Sequence, residues 1–316
     1  MTLSHTFSPR ALGWLGGAFE DVSVVSPFSR FTDEAFTPED KDRLVRVGVI
    51  DDEDQLSPDW LAALQSLADA QAFARMRLQS NNSMNAESIV YFGTQEHERV
   101  SISFVGEGMR VDYPPSTSDF LAEIVQYTGS STMVNCDLEC RLDYYEALLF
   151  VAAVDLNRLH QLRCLADEIE RSYMTLDGED LIEAAFSEGD RPQRITRILR
   201  AIPDRPGDIA PAEAREYLSS LCSTGLLQEL DDGYQLSEVG RNLATSFAIV
   251  DQVMQIDCGW FTEDEEFSLA EAVFLQGGIH DILMVDPGAG QITLETFSGA
   301  MLEEYLDTLM SQVPRQ

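Results

Sequence analysis

The sequence has a single lysine, Lys41, four histidines and an odd number of cysteines, five. Near-absence of lysine leaves 21 basic residues, almost all arginine, against 55 acidic ones, and the formal charge is -34. A molecule so negative repels phosphate backbones and anionic lipid surfaces, which excludes binding of nucleic acid or membrane through general positive charge. Its apolar runs are short. The longest, Ala147 to Val154, falls far below the ~20 residues that span a bilayer. Met1 to Glu20 lacks a basic region followed by a long apolar stretch, so no secretory signal is expected and the expected location is the cytoplasm. Five scattered cysteines fit reduced thiols better than a disulfide framework.

What is present is apolar material and a repeat. With 44% hydrophobic residues over 316 positions, the chain can bury sizeable cores without metals or disulfides. Leu44 to Ala68 and Leu221 to Ala248 share a pattern, with Gly48 matching Gly225, Leu56 matching Leu236 and Ser57 matching Ser237. In each copy a helix is expected to end at the glycine, where the missing Cβ permits a left-handed cap. A hydrophobic pair and an acidic turn follow. Ser57 or Ser237 is then placed to cap the next helix, and Pro58 suits a first helical turn.

Downstream, period-two alternation predicts three strands per half. In the first half these are Ser88 to Phe92, Arg99 to Val105 and Met109 to Tyr113; in the second, Leu269 to Leu275, Ile279 to Val285 and Gln291 to Phe297. Gly106 with Gly108, and Gly288 with Gly290, mark hairpin turns. A closing amphipathic helix is expected over Ser118 to Tyr127 and again over Ala300 to Met310. Cys136 to Met174 contains neither Gly nor Pro and predicts one long helix or two abutting ones, with shorter helices from Gly178 to Tyr217.

The expected fold class is therefore α+β, with two pseudo-symmetric halves, each helix, antiparallel sheet and helix, joined by a long helical segment. The expected divisions are 1–132, 133–210 and 211–316.

Ala212 to Asn242, containing DDGYQLSEVGRN, resembles the helix, wing and following helix of winged-helix domains. Its helix offers Glu213, Arg215 and Glu216, the wrong charge for a major groove, so a structural or protein-binding role is favoured. Arg191, Arg194, Arg197 and Arg200 form a basic stretch, but acids flank it and a phosphate-binding role is disfavoured.

Cys136, Cys140, His160 and Cys164 show i, i+4 spacing twice. On one continuous helix, however, Cys140 and His160 would lie about 30 Å apart, too far to share a metal ion. His97 and His280 hold similar positions in the two halves without a neighbouring nucleophile pattern. The acidic clusters Asp51 to Asp54 and Glu263 to Glu266 lack calcium-loop spacing. Asp286 to Gly290 joins strand to strand, whereas a phosphate loop needs a helix behind it. No metal, cofactor or catalytic set is expected.

Val47 to Leu67 with Ser88 to Tyr127, and Thr224 to Phe247 with Leu269 to Leu309, carry a further resemblance. Each half resembles the half-unit of the EspG-type chaperones of ESX (type VII) secretion: a short helix ending in a Gly-Leu-type turn, an acidic turn, a Leu-Ser/Asp-Pro helix start, strands and a closing helix. The resemblance implies a cytosolic, non-enzymatic adaptor that grips an apolar helical tip of a protein client through its sheet surface and adjoining loops. Ile102, Phe104, Ile282 and Met284 on the expected strands are the candidate binding residues, although core packing accounts for most such positions. The alternative expectation is an acidic winged-helix regulator or nucleic-acid mimic acting through protein contacts.

Overall fold

The structure, a computed structural model, describes residues 3–30, 36–80, 85–93, 99–114, 124–125, 128–170, 174–186, 195–202, 205–207, 209–262, 266–277, 281–288 and 290–312. It mixes helices with antiparallel sheet, the α+β class expected. Two compact units form. Unit 1 comprises Met1–Tyr127, Gln255–Glu271 and Glu303–Gln316, and unit 2 comprises Thr128–Met254 and Ala272–Leu302. Neither is continuous in sequence, because the strands β9 (Val250–Phe261) and β10 (Phe267–Gly277) and the last helix, α9 (Gly299–Gln312), contribute residues to both. Among the described residues no helix is long and apolar enough to cross a membrane.

Unit 1 begins with β1 (Leu3–Phe7) and α1 (Pro9–Gly16), followed by α2 (Pro38–Arg46) and α3 (Pro58–Ala68). Local chemistry sets the helix starts. Ser8 accepts the Ala11 N–H, Thr37 and Asp40 form a reciprocal capping box, and each helix opens on proline, whose absent N–H would lack an intrahelical partner there. Ser57 holds the N-cap position of α3 as expected, but its side chain makes no cap bond. Four strands follow, β2 (Ala72–Ser80), β3 (Asn85–Phe92), β4 (Arg99–Val105) and β5 (Gly108–Tyr113), in the order β1-β5-β4-β3-β2 and then β9 and β10. Phe73, Ile89, Tyr91, Val100, Ile102 and Val111 on one face of this sheet pack with Leu12, Leu15, Leu44, Leu64 and Leu67 of the helices.

Unit 2 is organised around one helix. The expectation of continuous helix over Cys136 to Met174 is corrected: β6 (Glu139–Leu142) comes first, and α4 spans Tyr144–Ala166. The reason is a capping box. Asp143 accepts the Tyr145 N–H while Glu146 accepts the Asp143 N–H, which fixes the helix start at Tyr144. Its far end closes at Asp167, and Glu168 adopts φ 55° as the Ile169 N–H turns back to the Cys164 carbonyl. Around α4 lie α5 (Gly178–Phe186), α6 (Thr196–Arg200), α7 (Pro211–Ser223), the ribbon of β7 (Leu227–Leu230) with β8 (Gly233–Leu236), and α8 (Glu238–Ser246). The sheet of this unit runs β10-β11-β12-β6, with β11 Asp281–Pro287 and β12 Ile292–Phe297.

From Leu148 to Val154 every residue of α4 is buried, so this stretch of the helix is enclosed on all sides and not along one stripe. Enclosure makes its charged residues expensive unless they are answered. Asp155, 4% exposed, accepts the Ile195 and Thr196 N–H groups and the Thr196 hydroxyl, which tethers the start of α6. Arg158, 3% exposed, donates to Asp155 and to the Phe247 and Ala248 carbonyls, which holds the end of α8.

Both glycine turns have the same bonding. Gly48 and Gly225 sit at φ 73° and 76°. Val49 donates to the Leu44 carbonyl and Leu226 to that of Leu221, each at 3.0 Å, which satisfies the helix-end carbonyl. Ser57 then donates to the Val49 carbonyl at 2.9 Å and Ser237 to that of Leu226 at 3.0 Å. After each turn the chain runs through a short antiparallel pairing, Ile50 with Leu56 or Leu227 with Leu236, into a helix and then four strands. The three strands expected in each half are thus preceded by another, β2 or β9. The closing helix expected over Ser118 to Tyr127 lies largely outside the described residues.

Two predictions follow from these contacts. Arg158→Met is expected to destabilise the protein by about 3–5 kcal/mol, because it strands the Asp155 carboxylate without a counter-charge, and Asp155→Leu added to it should recover part of the loss. Gly48→Ala and Gly225→Ala should each cost about 1–2 kcal/mol, a backbone penalty alone, since an added Cβ would meet nothing within 4 Å at either position. Urea denaturation followed by circular dichroism measures all four.

Candidate protein-binding face

Within unit 1, β2 places Ala72, Ala74, Met76 and Leu78 on one face, all buried, and Phe73, Arg75 and Arg77 on the other. Phe73 belongs to the apolar cluster beneath the helices, whereas Arg75 and Arg77 are partly exposed. The two arginines converge on Asp257 of β9. Its carboxylate, 2% exposed, accepts from Arg75 Nε at 2.7 Å, from Arg75 Nη2, and from Arg77 Nη2 at 3.2 Å. Gln255 Nε2 donates to Asp257 Oδ1 at 3.0 Å and to Glu271 of β10. Burial, with the Asp257 charge beside it, pushes the Glu271 carboxyl above its ordinary range.

Apolar surface adjoins this network. Phe267 and Leu269, at alternate positions of β10 with Glu271, are 49% and 57% exposed. Phe267 stacks on Phe73 with ring centroids 6.5 Å apart and meets Phe261 edge-on at 5.5 Å. The rings cross β9 at Gly259, where a Cβ would come within 2.6 Å of both Phe73 and Phe267, so only glycine lets them close over the strand. The face thus combines uncovered apolar side chains with fixed donors and acceptors, a composition suited to holding a protein surface.

The four residues expected to bind divide sharply. Ile102, in the apolar cluster of unit 1, and Ile282 are each 1% exposed and Met284 is 3% exposed, whereas Phe104 on β4 is 43% exposed. The residues of the β9–β10 face were not singled out from sequence. The signal was available in Ala72 to Leu78, where small or apolar residues alternate with Phe and Arg.

Elsewhere in unit 1 a cavity of about 570 Å³ is lined by Thr6, Phe7, Ser8, Pro9, Arg10, Asp40, Arg43, Glu107 and Gly108. Hydrogen bonds from Thr37 hold the Asp40 carboxyl below its ordinary range. The cysteines are free. Cys136 and Cys140 lie before and within β6, not on the helix expected for them, while Cys164 Sγ lies 3.6 Å from His160 Nε2 on α4. Burial pushes the Cys136 thiol up to about 11 and the Cys140 and Cys258 thiols up to about 12. Among the described residues no group of three or more His, Cys, Asp or Glu is placed to hold a metal. His97, His280, Arg191 and Arg194 lie outside the described residues.

No protein-family model matches the chain, and no curated protein matches it in sequence. Among solved structures it is similar to the Mycobacterium tuberculosis type VII secretion system chaperone EspG5, whose structure was solved in complex with the PE25-PPE41 dimer. The likeness covers 99% of this chain and 97% of that one, at a TM-score of 0.50 and 10% sequence identity. The chain therefore has the fold of a type VII secretion chaperone, in agreement with the resemblance read from its sequence.

Proposed function

We propose that this protein is a non-enzymatic, cytoplasmic adaptor or chaperone that holds a protein client on the β9–β10 face of unit 1. The observation that carries the reading is the exposure of Phe267 and Leu269 beside the Arg75, Arg77, Asp257, Gln255 and Glu271 network. Isolated apolar residues are ordinary on a protein surface, but here two flank a preformed polar network whose side chains need little further ordering. The fold likeness to a chaperone solved with its protein dimer supports the same reading. So does the charge of -34, which opposes self-association of a molecule with an uncovered apolar face.

Phe267→Asp and Leu269→Asp are expected to abolish copurification of the client from the native source while leaving the melting temperature within a few degrees of wild type. Phe104→Asp, at another exposed position of the same unit, should leave the client bound. Retention of the client by both β10 variants, in folded protein, would contradict the placement.

A further inference from the structure

A second, chemically different surface lies in unit 2, where the start of α4, the end of α5 and the middle of α7 bring aromatic rings together. Tyr145 and Tyr217 have centroids 5.2 Å apart with planes inclined at 43°, and Tyr145 and Phe186 lie 6.4 Å apart at 45°. Rings inclined this way are neither stacked flat nor locked edge to face, and all three are only half-buried. The Tyr145 hydroxyl donates to the Gly207 carbonyl at 2.7 Å, which fixes the central ring.

Carboxylates adjoin the rings in the same helices: Asp143 and Glu146 flank Tyr145 at the start of α4, and Glu213 and Glu216 lie one turn and one residue before Tyr217 on α7. Asp143, Glu146, Glu213 and Glu216 all raise the Tyr217 hydroxyl further after burial, and Asp143 and Glu213 do the same to Tyr145. Three of them are held in place by the fold. Asp143 and Glu146 form the α4 capping box, Glu146 also accepts the Ser220 hydroxyl, and Glu213 accepts the Ala210 N–H at the start of α7. Among the described residues no arginine or lysine forms an ion pair with any of the four, and no guanidinium lies over the three rings. Elsewhere the buried carboxylates Asp155 and Asp257 are answered by arginine.

We propose that Tyr145, Phe186 and Tyr217, with the neighbouring Asp143, Glu146, Glu213 and Glu216, receive a cationic side chain from a protein partner. The π faces would meet the cation and the carboxylates would balance its charge, the arrangement by which aromatic residues bind guanidinium and ammonium groups. This surface is separate from the β9–β10 face, and its reading does not rest on the client placement there.

Isothermal titration calorimetry of the whole protein with acetyl-glycyl-arginyl-glycinamide tests it, with the citrulline analogue as the uncharged, equally shaped control. Saturable binding is expected, with Kd on the order of 1 mM for so small a probe, and none for the citrulline peptide. Tyr217→Leu should weaken binding at least fivefold. Glu213→Gln with Glu216→Gln should do likewise in a protein that keeps its α7 start, because glutamine serves a capping box as glutamate does. Equal affinity for the citrulline peptide, no saturable binding, or unchanged affinity in the folded double-glutamine variant would overturn the proposal.

Discussion

The Arg158 guanidinium is the interaction on which unit 2 depends. The enclosed stretch of α4 has no wet face for a charged residue, yet it runs directly into Asp155 and Arg158, one turn apart, at 4% and 3% exposure. Their mutual bond would not by itself offset the desolvation of two ions. The remaining bonding capacity goes to backbone. Asp155 takes two N–H groups at the start of α6, and Arg158 takes two carbonyls at the end of α8. Unpaired helix termini and unpaired buried charges, each costly alone, satisfy one another. Helix positions around α4 are therefore set by directional bonds as well as by apolar packing.

The same chemistry recurs in unit 1 with a different exposure. Asp257 is as buried as Asp155, but its partners Arg75 and Arg77 have side chains 21% and 43% exposed. The network therefore reaches the surface, where the exposed Phe267 and Leu269 extend it. Arginines in such a scarce supply are partly committed to internal carboxylates, and what faces solvent is correspondingly more acidic. That arrangement keeps a molecule with uncovered aromatic and aliphatic side chains dispersed, and among the described residues no arginine or lysine forms an ion pair with Glu213 or Glu216.

Much of the framework was legible because it is written in local chemistry. The glycines at 48 and 225 require positive φ, and Ser237 caps its helix, so these turns could be placed from residue type alone. The hairpin glycines Gly106 and Gly290 are likewise at positive φ. Strands β2 and β9 escaped notice because one face of each carries Arg75 and Arg77, or Gln255 and Asp257, which dilute the apolar alternation of Met76 and Leu78, or Met254 and Ile256. The helix start at Tyr144 was written as Asp143 with Glu146, a capping signal outweighed by the absence of Gly and Pro around it. The candidate site was less legible still. Ile102, Ile282 and Met284 were chosen for alternation, which finds the buried face of a strand, and exposure of Phe267 or Leu269 depends on which helices cover the sheet, a tertiary property.

Placement of a protein client on the β9–β10 face of unit 1 is the proposal on which the functional reading rests. Amide hydrogen exchange, compared between the free protein and its complex with the copurified client, addresses it directly. Slower exchange on binding is expected in the peptides covering Gln255 to Phe261 and Phe267 to Glu271, the strands that carry the face. Protection confined to other segments, with these peptides exchanging alike in both states, would contradict it.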